Sequence, residues 1–323
     1  MIAAIIASAA AAQAADWIRP VASTDPPIWG LRGGLQFAIP PGGFTQGSGG
    51  PRGLIRIGYP TLPEGAYDLI NFIAIEPVVH GKRGFSELER SAADQQPGKL
   101  IALTGKTPTP ELASGSVKEL GGGVEELTVP LTVERFENGA HVRLLLSQRS
   151  DAPDELRLQV FAEPDTAPLE RCILTATMGN KARTRLLWLK DGPVSSLELY
   201  STHRGTEFAP HSFFPLTRLP RTAFGDVAVA LTTDESDPSA SSAGLPRFWQ
   251  YRGEKVTQYW RKPASEVQDG LQCAVNGRAT YWMSQTPLPG GVAFENFELT
   301  EPYRDGQQFI FGVTRRSPSE LLK

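Results

Sequence analysis

Histidine and cysteine are scarce: 323 residues carry four of the first and two of the second. The scarcity removes most metal and thiol chemistry. There is no HExxH pair and no doubled CxxC, so the usual zinc patterns are excluded. Without a Walker loop or a GxGxxG between strand and helix, the common nucleotide cradles are excluded too. A GxSxG nucleophile elbow is also missing. Beyond residue 15 no apolar run approaches the ~18 residues that a spanning helix needs, so no membrane span is expected. Thirty-two basic side chains against thirty-five acidic ones leave a formal charge of -3, and no field points to nucleic acid. Helical periodicity is nearly absent. Its best interior stretch is FSELERSAA (85–93), with Ser86 as N-cap and Glu89 three residues on. A terminal turn is expected where Ser317 and Pro318 precede SELL.

What is present is a rhythm of short apolar runs broken by Pro, Gly, Asn and Asp. LIRIGY (54–59), DLINFIAIE (68–76), LTVPLTV (127–133), HVRLLLS (141–147), LRLQVFAE (156–163) and CILTATM (172–178) come first. RLLWLK (185–190), SLELY (196–200), DVAVALTT (226–233), VAFENFEL (292–299) and FIFGV (309–313) follow. In the fifth run Leu156, Leu158 and Val160 alternate with Arg157 and Gln159, the period of a half-buried strand. A dozen strands with almost no helix exclude doubly wound α/β folds. The expected class is all-β, a large antiparallel β-sandwich with very little helix. The 27 prolines and 32 glycines, spread without low-complexity tracts, read as turns.

Residues 1–15 (MIAAIIASAAAAQAA) differ from the rest: small, apolar and Ala-rich up to Asp16 and Trp17. They read as a signal peptide lacking its basic start, with a buried N-terminal helix as the alternative. Residues 16–323 then form one sandwich domain, and the expected location is periplasmic or secreted. Export permits a disulfide between Cys172 and Cys273; two separate buried thiols fit equally well. Residues 40–53 and 234–247 read as surface loops. Asp234, Glu235 and Asp237 could present oxygens to Ca²⁺, but a solvated loop is the better reading. YRGEKVTQYW (251–260) mixes charge and aromatics without a basic patch, which favours strand packing or sugar stacking over nucleic acid. No cofactor and no bound metal are expected.

Candidate site residues sit at strand ends, where a scaffold holds side chains that remain accessible. His80 follows a strongly apolar strand, with Lys82, Arg83, Glu87 and Glu89 close behind. His203 and His211 bracket STHRGTEFAPHSFFP (201–215), in which hydrogen-bonding groups alternate with phenylalanines. Sugars need that mixture, because their rings have apolar faces and hydroxyl edges. Glu295 lies in GGVAFENFEL, where strict alternation places it with Ala293, Phe297 and Leu299. A carboxylate on such a face is either a hydrogen-bonded structural group or a desolvated general base. His141 opens a strand and reads as structural.

Two separated strand-end histidines and a late strand-borne glutamate resemble the galactose-mutarotase-like supersandwich group. That group includes aldose epimerases and the sandwich domains of polysaccharide lyases and glycoside hydrolases. GVAFENFEL followed by FIFGV is similar to the C-terminal sheet of such proteins. The resemblance runs from about Pro26 to Arg315 and implies a sugar site on a concave sheet. It implies Glu295 as the base, His203 or His211 as the acid, and His80 as an orienting group. His211, Arg204, Arg83, Glu87 and Trp260 are candidate sugar contacts. Three readings stand: a carbohydrate-active enzyme of epimerase, lyase or hydrolase type; a non-catalytic sugar-binding module using Trp188, Trp249, Tyr259, Trp260 or Trp282; and an envelope structural protein.

Overall fold

A computed structural model describes residues 14–22, 24–40, 43–44, 52–102, 115–177 and 183–322. The leader reading and most of the 40–53 loop therefore lie outside the described residues. The chain begins with a meander: β1 (Trp17–Ile18), β2 (Ile28–Leu31), β3 (Gln36–Ala38), β4 (Leu54–Tyr59), the long β5 (Asp68–Val79) and β6 (Lys82–Arg83). Next come β7 (Ile101–Ala102), β8 (Ser116–Gly121), β9 (Val124–Val133), β10 (Val142–Arg149) and β11 (Glu155–Ala162). The chain then alternates through β12 (Arg171–Thr177), β13 (Thr184–Leu189), β14 (Gly192–Ser195), β15 (Ser212–Pro215), β16 (Val227–Thr233) and β17 (Thr257–Lys262). β18 (Gln272–Arg278), β19 (Ala293–Thr300) and β20 (Gln307–Thr314) complete it.

Among the described residues these strands form two ten-stranded sheets. Sheet I runs β1-β2-β3-β4-β5-β12-β19-β18-β15, with β6 also paired to β5. Sheet II runs β14-β13-β16-β17-β20-β11-β10-β9-β7, with β8 also paired to β9. Neighbouring strands pair antiparallel, as in β5 with β12 and β11 with β20. The expected all-β sandwich is what the chain forms. Three helices of one turn each, α1 (Ser196–Leu199), α2 (Pro238–Ser241) and α3 (Pro318–Leu321), are the α-helical content of the described residues. None is long and apolar enough to cross a membrane.

Two local expectations fail for identifiable reasons. SLELY is not a strand: Ser195 caps α1 by accepting from the Leu197 N–H at 3.2 Å, and so turns the chain. FSELERSAA is a chain of turns, not a helix. Its Ser86 is fully buried; the hydroxyl accepts from Ile75 N at 2.9 Å and donates to Gly53 O at 2.6 Å. Tying the segment to sheet I outweighs helix capping. The terminal turn does form, with Ser317 N donating to Glu320 at 2.8 Å. Cys172 and Cys273 are separate buried thiols.

The core lies between the sheets and includes Trp29, Phe37, Trp260, Phe294, Phe297, Phe309 and Phe311. Trp260 on sheet II is fully buried, and its Nε1 donates to the Phe297 carbonyl of sheet I at 2.8 Å. Phe311 meets its ring edge-on at 5.0 Å. Asn71 and Gln258 bridge the sheets again at 2.6 Å. Trp260→Ala is expected to cost ~3–5 kcal/mol in urea unfolding, because a cavity opens and the Phe297 carbonyl loses its donor. Trp260→Phe should recover roughly half of that loss.

Candidate functional site

The face of sheet I turned away from sheet II is unusually polar for a buried surface. Strand register sets one row across it: Phe213 opposite Ala274, then Glu298, Thr175 beside it, and Ala74. A second row carries Asn276, Thr177, Phe72 and Arg56. Arg278 follows Asn276 on the same face, opposite Ala293.

A bulge arranges the middle of this face. Val275 pairs with Phe297 but Gly277 pairs with Phe294, so Glu295 and Asn296 together oppose Asn276. The Asn276 side chain accepts from Asn296 N at 3.1 Å and closes the gap in the ladder. Because of the extra residue, Phe294, Phe297 and Leu299 all reach the inter-sheet core. Strict alternation is therefore overturned at this point. Glu295 does not share a face with Phe297; it lies on the outer face with Glu298, and is 2% exposed. Gly277 is required beside the bulge: a Cβ there would stand 2.8 Å from Val292 Cγ1 and 2.9 Å from the Ala293 carbonyl.

Glu298 belongs to a charge cluster built by three strands. Arg83 contacts Glu76 closely and donates to Glu298 at 3.2 Å. Thr175 donates to Glu298 at 2.5 Å. Two buried carboxylates thus share one guanidinium. Burial pushes the Glu76 carboxyl up, with Arg83 opposing and the negative charge of Glu298 reinforcing. Burial alone pushes nearby Glu87 up to about 7. His211 is held below the usual imidazole value by burial, with Glu298 pulling it up and Arg83 pushing it down. Its Nε2 is buried without a hydrogen-bond partner, and its ring stacks on Phe213 at 6.0 Å.

Arg83, Glu87, His211 and Glu295 are accordingly gathered on one face, whereas the other expected residues are elsewhere. His80 is exposed at the first position of the two-residue β5–β6 turn, with φ of 48° before Gly81 at 70°. Two positive φ values in a two-residue hairpin make this a type I′ geometry, and the imidazole is displayed to solvent. Trp260 is sealed in the core. Arg204 is exposed and donates to the Ser201 and His203 carbonyls. His203 serves its own loop, its Nε2 donating to the Glu207 carbonyl at 3.0 Å.

That loop forms one wall of a cleft of about 370 Å³ lined by Thr206, Glu207, Phe208, Arg278, Trp282, Met283, Ser284 and Gln285. The opposite wall, 282–285, projects from the end of β18. Arg278 donates to the Thr206 carbonyl at 3.1 Å and lies 4.9 Å from the Phe208 ring centre. His203 and Arg278 therefore hold the wall from both sides. Phe208 remains 41% exposed and Met283 81%.

Sequence reasoning missed Glu76, Glu298 and Arg278. The signal for Glu76 was a lone acid ending an apolar strand, the same signal that singled out Glu295. Nothing local marks the bulge that brings Glu298 to the outer face. Of the aromatics considered for stacking, Trp282 is at the cleft, while Trp249 stacks on Tyr281 at 4.6 Å. Trp188 donates to Thr232 on sheet II, and Tyr259 is buried against Glu155. In the acidic loop Asp234 and Glu235 face Arg185 and Arg183, and Asp237 caps α2. Among the described residues no group of His, Cys, Asp and Glu is arranged to hold a metal ion. No family model, curated protein or solved structure matches the chain.

The raised carboxyl of Glu87 carries a stability prediction. Folded protein retains its proton up to about pH 7, while the unfolded chain releases it near 4.5. Its contribution is full below the lower value and is lost as pH rises through the interval. Glu87→Gln should therefore flatten the decline between pH 4.5 and 7, gaining on the order of 1–2 kcal/mol at pH 8 once its partial exposure is allowed for. Urea unfolding at pH 5 and pH 8 measures this. Equal slopes for both proteins would contradict the assignment.

Proposed function

We propose that the protein is an exported carbohydrate-binding β-sandwich that takes a saccharide in the cleft at the β15–β18 end of sheet I. The observation that carries this reading is the lining itself. Phe208 and Trp282 offer aromatic faces for the C–H side of a sugar ring, beside the hydroxyls, amide and charges of Thr206, Ser284, Gln285, Glu207 and Arg278. The volume lies within the range of small-ligand sites.

A second reading, acid–base turnover of the bound sugar, draws on a different observation. Glu76 and Glu87 hold protons more tightly than ordinary carboxyls, next to Arg83 and His211. Binding is the better supported of the two, since the expected base Glu295 is deeply buried and His203 and His80 are committed to a loop and a turn.

A glycan array with the full chain tests binding. Phe208→Ala and Trp282→Ala should each weaken the captured glycan by roughly tenfold, the worth of one stacking contact. Retention of full affinity in both variants would rule out the cleft. Glu76→Gln, assayed for release of reducing ends or unsaturated products, should matter only if the wild type turns the glycan over.

A further inference from the structure

Four arginines that are buried or half-buried in this sandwich stand against carboxylates. Arg83 faces Glu76 and Glu298; Arg183 faces Glu235; Arg185 faces Asp234 and Glu235; Arg261 faces Glu155 and Asp226. Arg278 departs from that pattern. It is 5% exposed, yet among the described residues no carboxylate lies within ion-pair reach of it. Its contacts are neutral: the Thr206 carbonyl and the face of Phe208. Its Nε is buried without a hydrogen-bond partner.

We propose that the cleft binds the anionic group of an acidic saccharide, a carboxylate or a sulfate ester, on the guanidinium of Arg278. This rests on the saccharide-binding reading above and names the class of sugar that the cleft selects. Burying a guanidinium without a counter-ion is unfavourable. A ligand anion removes that cost. The planar fork of donors matches two oxygens of a carboxylate or sulfate at once, which a point charge does not. Geometry favours the match: the Thr206 carbonyl and the Phe208 ring both fix the guanidinium, and Trp282 lines the same cleft. Glu207 is the one acid in the lining, and it is exposed. Water screens its charge far more than it screens the buried arginine, so the cleft stays receptive to an anion.

The test uses the full chain and three probes in calorimetric titration: galacturonic acid oligomers, the same oligomers fully methyl-esterified, and a sulfated galactan fragment. Wild-type protein should bind one acidic probe at least tenfold more tightly than the neutral ester, with a preference that shrinks as salt rises. Whichever acidic probe is preferred identifies the anion as carboxylate or sulfate. Arg278→Gln should bring acid and ester to the same affinity. Glu207→Gln, an exposed change, should raise the acid-over-ester preference two- to threefold. Equal wild-type affinity for acid and ester overturns the charge selection while leaving saccharide binding standing. Equal weakening of both probes in Arg278→Gln also overturns it. Failure of all three probes, and of every glycan on the array, removes the saccharide reading itself and this proposal with it.

Discussion

One additional residue in β19 governs the middle of this protein. Where Glu295 and Asn296 oppose the single Asn276, the strand changes phase. Upstream, Phe294 points into the core; downstream, Phe297 and Leu299 do as well. A regular strand would have sent Phe297 and Phe294 to opposite faces and buried a carboxylate between the sheets. The bulge keeps both carboxylates out of the inter-sheet core, and the Asn276 side chain replaces the missing ladder bond. It also presents the Phe297 carbonyl to Trp260, the hydrogen bond that joins the two sheets at their centre. Core and site therefore depend on the same irregularity.

The outer face of sheet I shows how a sandwich tolerates buried charge. Glu76 and Glu298 converge on Arg83, so three strands and a hairpin meet through one guanidinium. An ion pair of this kind gives little net stability, because desolvation offsets attraction. Its effect is on specificity: each carboxylate is costly unless the strands are in this register. Burial and the Glu298 charge raise the Glu76 carboxyl despite its contact with Arg83.

The fold class was legible because alternation in stretches such as Leu156–Phe161 is a short-range signal with one physical reading. β4, β11, β16 and β20 all fall close to runs that the pattern marked. SLELY was misread because an N-cap serine and four helix-compatible residues look like strand when the run is short. The cleft was hardly legible: none of the expected site residues Arg83, Glu87, His211 and Glu295 lines it. Arg83, Glu87, His211 and Glu295 do gather on one face, and each was conspicuous as a polar residue at a strand end or within an apolar strand. Their company was not legible. Glu76, Thr175 and Glu298 become neighbours only through the order β5-β12-β19, which no local pattern encodes. Arg278 stood out for nothing in the sequence; what distinguishes it is that no carboxylate of the described residues lies within ion-pair reach.

The chain order within the sheets has a temporal consequence. β20 is the strand that lies between β17 and β11, so it joins the two halves of sheet II. Synthesis reaches it after every other described strand. Until residues 307–314 have emerged, β7–β11 and the β13–β17 portion are two fragments with open edges and no shared hydrogen bond. Contacts this distant along the chain close slowly, and unpaired edges invite other chains to add to them. A ribosome-bound form of this protein lacking β20 would thus be a sandwich with one sheet split in two, vulnerable to aggregation until that strand slots into the gap.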